Sequence, residues 1–390
     1  MKILHCCLAN FYIDDYSYQE NILPKMHKLQ GHEVRILAST ETYIDNKNLG
    51  YVKASSYMTS DGIPITRLPY KRFLPHVIMK KIRMYEGILD YLLDFKPDLI
   101  FIHDTQFLGV LDIIKYLSKH KKTRVLADGH ADFIKHAGRN TIINWFSQKV
   151  LHGILYKWTT QKINPYTEKF YGVLPVRVDF IKQVYNIPKH KVELLVMGAD
   201  DTKFDINQKE RIKIKVRKSN HLNRNDFLIV TGGKIDSTKK IEVLMQAVVE
   251  MSEERIKLLV FGKADDYLKD KFELLSKSNK IIDIGWINST DVYSYFMAAD
   301  LVFFPGTHSV LWEQAVGAGA PCVFKRWEGV EHVDVGGNCI FIEKAEVNEI
   351  KDKIRFLYKN PNKLKEMERI AKDKGVPYFS YFEIAKRSIN

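Results

Sequence analysis

One stretch constrains the fold more than any other: residues 301–323, LVFFPGTHSVLWEQAVGAGAPCV. Leu301 to Phe304 form a strand-like apolar run, and Pro305-Gly306 stop it. A polar loop follows, Thr307-His308-Ser309. A helical pattern begins near Val310 and carries Glu313. Gly317, Gly319 and Pro321 close that helix, and Cys322-Val323-Phe324 start another strand. Glu in a first helical turn also simply suits the helix dipole. Here it stands beside backbone N–H groups that the helix leaves free, and such groups can hold an anion. A carboxylate in that place can accept hydrogen bonds from sugar hydroxyls. One short segment could therefore grip the ribose and the phosphates of a nucleotide.

The rest of the chain repeats this alternation. Residues 3–8 read as a buried strand, 20–30 as an amphipathic helix with Ile22, Leu23, Met26 and Leu29 on one face, and 34–38 as the next strand. That is a βαβ unit, which implies a parallel sheet with right-handed crossovers. The pattern predicts a long helix over 77–95, a strand over 99–102, a helix over 108–120 and a strand over 123–127. Residues 166–170 read as helical, 173–176 as a short extended piece and 192–196 as a strand. The second half restarts with strands at 227–230, 257–261 and 281–284, and with helices at 241–251 and 292–299. Helices at 346–360, 361–374 and 379–388 finish the chain. With 390 residues, two domains are the expectation.

Ligands of parallel α/β sheets bind beyond the carboxyl ends of the strands. Asn10, His103, Asp104, Asp128, His130 and Asp132 all fall there in the first half. In the second half, Thr231-Gly232-Gly233-Lys234 leave a strand, and Lys239 follows five residues after Lys234 at a helix start. The glycines let phosphate oxygens approach the backbone, and two ammonium groups can neutralise a diphosphate. Each lysine alone is equally a solvated surface residue. This is not a P-loop, because G-x-x-x-x-G-K-[ST] is absent.

The net charge is +13 and is uneven. Residues 1–200 hold 28 Lys and Arg against 19 Asp and Glu; the remainder holds 32 against 28. An acidic partner is implied: nucleic acid, anionic lipid or a phosphorylated ligand. No zinc finger, RNA-recognition signature or basic helix with heptads is present, so nucleic acid is not expected. No run of eighteen apolar residues spans a bilayer. The N-terminus reads as a first strand rather than a signal peptide. Cys6, Cys7, Cys322 and Cys339 lack metal-ligand spacing and read as buried thiols in a reducing cytosol.

On these residues the sequence resembles a family 4 glycosyltransferase of the GT-B fold over nearly its whole length. The family's Gly-Arg followed by Lys, which contacts donor phosphates, is similar to Gly233-Lys234 and Lys239. Lys replaces Arg, so charge is kept and the guanidinium fork is lost. The exit from the first domain resembles Met197-Gly198-Ala199-Asp200 with Phe204. The first βαβ segment is matched by residues 28–34, the acceptor-side histidine by His130, and the returning helix by residues 379–387. The family usually carries a Glu eight residues before the ribose-binding Glu; Glu313 matches the second, but Pro305 stands in the first place.

The resemblance implies an α/β GT-B fold: two Rossmann-like domains facing across a cleft. Residues 1–200 would bind the acceptor, 201–374 the nucleotide sugar, and 375–390 would pack back on the first domain. It implies a retaining, metal-independent hexosyltransferase with no tightly bound cofactor. The donor would be a UDP- or GDP-sugar, and the acceptor a sugar or lipid-linked glycan of surface polysaccharide synthesis. His130, Lys234, Lys239 and Glu313 would carry the chemistry. Gly232, Gly233, Gly262, Trp286 and Ile287 would line the donor site, with His308, Ser309, Val310 and Leu311 at the sugar. A GT-B-fold nucleotide-sugar epimerase and a degenerate nucleotide- or partner-binding protein are the alternatives. The basic, aromatic segment 67–83, with Tyr70, Lys71, Arg72, Phe73, Lys80, Lys81 and Arg83, is either a solvated face or a dock for anionic lipid. With help from the amphipathic stretch 141–156, it would hold a cytoplasmic protein on the inner face of the membrane.

Overall fold

A computed structural model describes residues 1–44, 48–131 and 147–390. The chain divides into two units: Met1–Val196 with Ala385–Asn390, and Met197–Ile384.

The first unit contains β1 (Lys2–Cys7), α1 (Gln19–Leu29), β2 (Glu33–Ser39), a small hairpin of β3 (Glu41–Tyr43) and β4 (Leu49–Tyr51), β5 (Ser55–Met58) and β6 (Pro64–Leu68). It continues with α2 (His76–Ile82), α3 (Ile88–Phe95), β7 (Leu99–His103), α4 (Val110–Lys119) and β8 (Arg124–Gly129). A wide-turned helical segment, Ser147–Tyr156, runs into α5 (Lys157–Ile163), followed by β9 (Lys169–Gly172), α6 (Pro175–Gln183) and β10 (Val192–Leu194). The sheet order is β10-β9-β8-β7-β1-β2-β6-β5, parallel throughout except for β5 against β6. The central strands are covered on both faces, so β7 reads as an unbroken buried run, LIFIH.

The second unit contains α7 (Lys209–Ser219), β11 (Phe227–Ile235), α8 (Ile241–Glu250), β12 (Ile256–Ala264), α9 (Lys269–Ser276), β13 (Ile281–Asp283) and α10 (Asp291–Ala298). After these come β14 (Leu301–Phe304), α11 (Leu311–Gly317), β15 (Cys322–Lys325), β16 (Cys339–Ile342), α12 (Val347–Lys359) and α13 (Pro361–Ile370). The sheet order is β13-β12-β11-β14-β15-β16, all parallel. Its core joins Ile229, Leu258, Leu301 and Val323 to Ile350 and Ile354 of α12. The last helix, α14 (Tyr381–Ile389), begins in the second unit, and its final residues belong to the first.

Three expectations are corrected. The helix over 77–95 is two helices, because Arg83 adopts φ +53° and Gly87 φ +80°, and Tyr85 bridges to Tyr70. Residues 166–170 do not form the expected helix: a 3-10 turn ends at Tyr166 and β9 occupies Lys169–Gly172, and the piece expected to be extended opens α6 at Pro175. The glycine pair does not end its strand; β11 runs through Lys234 to Ile235. The expected amphipathic stretch 141–156 lies partly outside the described residues, and Asp132 lies wholly outside them.

Candidate functional site

In the second unit the carboxyl ends of β11 to β14 gather the residues singled out above. Gly233 pairs with Gly262 across parallel strands. Their φ angles are +105° and +123°. A Cβ on Gly262 would lie 1.9 Å from the Gly233 carbonyl oxygen, so no side chain fits there. This close approach lets both strands continue past the point where glycines suggested a loop. Gly262 N–H also donates to Gly285 O at 2.7 Å, which places Trp286 and Ile287 at the same edge. Trp286 is exposed and Ile287 half-buried. A Cβ on Gly233 would meet Leu311 Cδ1 at 2.8 Å, so the start of α11 abuts β11.

The two lysines differ. Lys234 is mostly exposed, with Nζ 3.5 Å from Asp236 Oδ2 and 3.8 Å from Asp265 Oδ2. Lys239 is half-buried, and its Nζ donates to Thr307 O at 3.0 Å and His308 O at 2.9 Å. Burial lowers its ammonium pKa; Asp236 opposes that and Lys234 adds to it. An ammonium has three donors, so one remains for a ligand. The backbones are stitched together as well: Thr307 N–H donates to Thr238 O at 2.9 Å, and Gly306 lies where a Cβ would come within 2.3 Å of Lys239 backbone atoms. Lys239 thus holds the loop that carries His308, Ser309 and Val310.

Glu313 is fully buried in the first turn of α11. Its Oε1 accepts hydrogen bonds from His308 Nε2 at 2.8 Å and His332 Nε2 at 2.9 Å. Its Oε2 is buried and, among the described residues, has no partner. Burial pushes the carboxyl up, but His308 and then His332 outweigh it and bring the pKa down to about 2. His332, in the turn Glu331–Val333, is a site residue that no sequence motif marked. Pro305 is buried and offers no side-chain donor or acceptor where a second Glu was expected.

In the first unit, His130 follows β8 and meets Asp128: Nε2 lies 3.3 Å from Oδ1. His103, the last residue of β7, holds the other oxygen, with Nδ1 2.8 Å from Oδ2. Gln19 Nε2 adds a bond to Oδ2 at 3.3 Å, and Asp104 N–H one to Oδ1 at 3.2 Å. Burial raises the Asp128 carboxyl, yet His103 and His130 more than reverse this and hold it far below the usual range. Burial alone would lower the His130 pKa; Asp128 raises it instead. Glu20, buried on α1, completes the cluster with a carboxyl pushed up by burial.

Each carboxylate with its two histidines presents three potential ligand atoms within 4.8 Å of one another. In the structure most of these atoms are hydrogen-bonded to one another. His103 spends both ring nitrogens on hydrogen bonds, to Asp128 and to His5. His308 and His332 both aim Nε2 at one carboxylate oxygen, which needs protonated rather than bare nitrogens.

Residues 212–374 match the family model described as glycosyl transferases, group 1. Over those residues the chain is similar to the group 1 glycosyl transferases. An uncharacterized glycosyltransferase of Methanocaldococcus jannaschii is 27% identical over 228 residues, covering 53% of this chain and 55% of its own. The chain thus spans about half the length of the curated relative it matches. Among solved structures, a glycosyltransferase of Rickettsia africae has a TM-score of 0.68 at 13% identity, covering 100% of this chain and 96% of that one. HepE of Anabaena, solved in complex with UDP, has a TM-score of 0.69 at 15% identity, covering 99% and 98%. The fold is GT-B.

Proposed function

We propose that this protein is a group 1 glycosyl transferase that moves a hexose, with retention, from a UDP- or GDP-sugar to a sugar or lipid-linked glycan in surface polysaccharide synthesis. One observation carries the donor side. Inside the matched residues, Glu313 keeps one buried carboxylate oxygen without a partner among the described residues, at the edge where Gly233, Lys239 and residues 306–311 converge. A ribose hydroxyl satisfies such an oxygen, and the likeness of fold to HepE of Anabaena, solved in complex with UDP, supports a nucleotide ligand.

As the glycosidic bond breaks, negative charge grows on the leaving diphosphate. Lys234, the remaining donor of Lys239 and the first-turn amides of α11 meet it as preorganised stabilisation, with no metal required. Attack from the leaving-group side lets the diphosphate take the acceptor proton. His130, fixed by Asp128, orients the acceptor rather than serving as an obligatory base. Glu313 holds the ribose, which is binding shared by ground and transition states.

A panel of UDP-, GDP- and ADP-sugars, with and without glycan acceptors, tests the assignment. Acceptor-dependent nucleotide release is expected, and it should survive EDTA. Free sugar released without acceptor would indicate an epimerase. Binding without turnover would indicate a degenerate transferase, the reading that Pro305 favours. Lys234→Ala and Lys239→Ala should each lower kcat by roughly 10²-fold or more. Glu313→Ala should mainly raise the donor KM.

The acceptor side would face an anionic bilayer on the inner leaflet. Phe73, Leu74, Val77 and Ile78 are exposed beside Arg72 and Lys81, a surface suited to lipid headgroups. Arg67 does not contribute: it is buried and ion-paired to Asp14 at 2.9 Å. No helix among the described residues is long and apolar enough to cross a membrane. Co-sedimentation with anionic vesicles should exceed that with neutral ones and weaken with salt; equal binding to both sinks the membrane role.

A further inference from the structure

Three fully buried histidines form a continuous chain in the first unit. His103 Nε2 lies 2.9 Å from His5 Nδ1, and His5 Nε2 lies 3.0 Å from His27 Nδ1. One end of the chain faces Asp128, through His103 Nδ1 at 2.8 Å. The other end faces the C-terminal helix. His27 Nε2 lies 3.1 Å from the Ala385 carbonyl oxygen and 3.1 Å from Ser388 Oγ. The Ser388 hydroxyl in turn donates to Ala385 O at 2.7 Å.

Protons can be counted along this chain. The Asp128 carboxylate and the Ala385 carbonyl only accept, so both terminal ring nitrogens must carry hydrogen. Each of the two N···N contacts needs one more. That makes four protons on three imidazoles, which carry only three when all are neutral. The arrangement therefore holds one extra proton, and its charge is offset by Asp128. A neutral chain is possible in one other way: Ser388 turns its hydroxyl onto His27 Nε2, and every ring then donates toward Asp128.

We infer that His27, His5 and His103 form a relay holding one shared proton, through which the seating of Ala385 and Ser388 against His27 sets the charge beside Asp128 and so its hold on His130. Asp128 and His103 are then positioning residues for His130, and α14 is coupled to them across the buried core of the unit. By reciprocity, the protonation state at Asp128 also favours or disfavours seating of the C-terminal segment.

Burial, then repulsion from His27 and His103, holds His5 well below the usual imidazole range. Burial likewise brings His27 to about 4. Of the three rings, His103 stands next to the carboxylate, with Nδ1 2.8 Å from Asp128 Oδ2. Other groups bear on the same centre. Glu20 of α1 and Arg177 of α6 face His130, and Asp104 lies behind it, itself facing Arg83. Cys7 of β1 faces Asp128, and His32 faces His27. None of them interrupts the chain of ring contacts.

Histidine-selective 15N NMR on the full chain tests this, reading the His103 and His130 rings from about pH 5 to about pH 9. Ser388→Ala removes the one donor, among the described residues, that permits the neutral chain. It should raise the midpoint at which His103 loses its imidazolium signature by about half a pH unit or more, and shift His130 with it. In a His5→Phe background, Ser388→Ala should shift neither ring; His5→Gln serves where His5→Phe does not fold. Midpoints equal in wild type and Ser388→Ala overturn the relay even if Ser388→Ala lowers Tm. A shift that survives the loss of His5 overturns it too, because packing would then carry the effect. The titration needs no substrate, so its outcome is independent of the transfer assay.

Discussion

Asp128 and Glu313 are both buried carboxylates bridged by two histidines, and they are used differently. Asp128 takes one histidine on each oxygen and fills the remaining positions with Gln19 and the Asp104 amide. Three hydrogen bonds and the 3.3 Å approach of His130 leave neither oxygen bare. Glu313 takes both histidines on Oε1 and leaves Oε2 bare. A buried oxygen without a partner destabilises the unliganded fold, and a ligand hydroxyl removes that penalty. On the proposed function, Asp128 is therefore the scaffold that would orient His130, and Glu313 the receptor that would take the ligand. The same residue types thus serve two roles, and the count of satisfied oxygens distinguishes them.

The largest expected difference is in folding stability. Asp128→Asn removes the charge that offsets His103 and turns an acceptor into a donor facing ring N–H groups. Breaking such a buried pair costs about 3–5 kcal/mol. Urea unfolding should show a loss toward the top of that range for Asp128→Asn and no more than about 3 kcal/mol for Glu313→Gln. Equal losses would erase the distinction between scaffold and receptor.

Ligand affinity should reverse the order. Glu313→Gln replaces the charged acceptor for ribose, and a hydrogen bond to a charged group is worth about 1.5–3 kcal/mol, or roughly ten- to a hundred-fold in Kd. Calorimetry with the preferred nucleoside diphosphate should show this for Glu313→Gln, while any folded Asp128 variant keeps its nucleotide affinity. Unchanged binding by Glu313→Gln would leave the spare oxygen without a role.

Acid should separate the two sites next. Glu313 is held at about 2 in the folded protein, against about 4.3 for a free Glu. A depressed carboxyl stabilises the fold above the unfolded pKa, and that contribution is lost as pH falls through the folded one. The shift corresponds to about 3 kcal/mol, lost between about pH 4.3 and pH 2. Asp128 has the same sign and loses its contribution from about pH 3.9 downward. His130 has the opposite sign: its raised pKa stabilises below about pH 6.5, and the contribution disappears as pH rises through the folded value. Glu313→Gln should flatten the acid limb of a stability–pH curve and leave the alkaline limb unchanged. An unaltered acid limb would mean that Glu313 is not ionised as described.

Much of this architecture was legible in the residues. The run Leu301 to Phe304, stopped by Pro305-Gly306, announced a buried parallel strand and the helix start that carries Glu313. His103, Asp128 and His130 could be placed at strand ends before any contact was known. Tertiary effects hid the rest. Arg83 is not a helix breaker by type; its left-handed turn goes with the Tyr70–Tyr85 bridge, which no local pattern announces. Gly232 and Gly233 looked like a phosphate loop, but the first task of Gly233, paired with Gly262, is to let two backbones touch. His332 lies nineteen residues from Glu313 in an unremarkable turn. His27 sits on the apolar face of α1 and His5 within an apolar strand, where a histidine reads as ordinary core. Only the contacts show that they form a chain.

The smallest effect gives the sharpest form of the comparison. His103 and His332 each donate one bond to a buried carboxylate. Behind His103 stand His5 and His27, so substitution breaks a chain. Behind His332 there is no such chain: its Nδ1 is buried and, among the described residues, unpartnered. Gln can place an amide N–H near either ring nitrogen's position, but it cannot serve both ends of an imidazole. His332→Gln should keep its one useful bond and change stability by less than about 1 kcal/mol, because no further group loses a partner. Donor affinity should fall only a few-fold, since Oε2 is untouched. His103→Gln leaves either Asp128 or His5 unsatisfied, which costs about 1–3 kcal/mol. Paired urea curves for the two variants decide the matter. Equal losses would mean that His332 also anchors its surroundings and that the Glu313 centre is built as scaffold, like the one at Asp128.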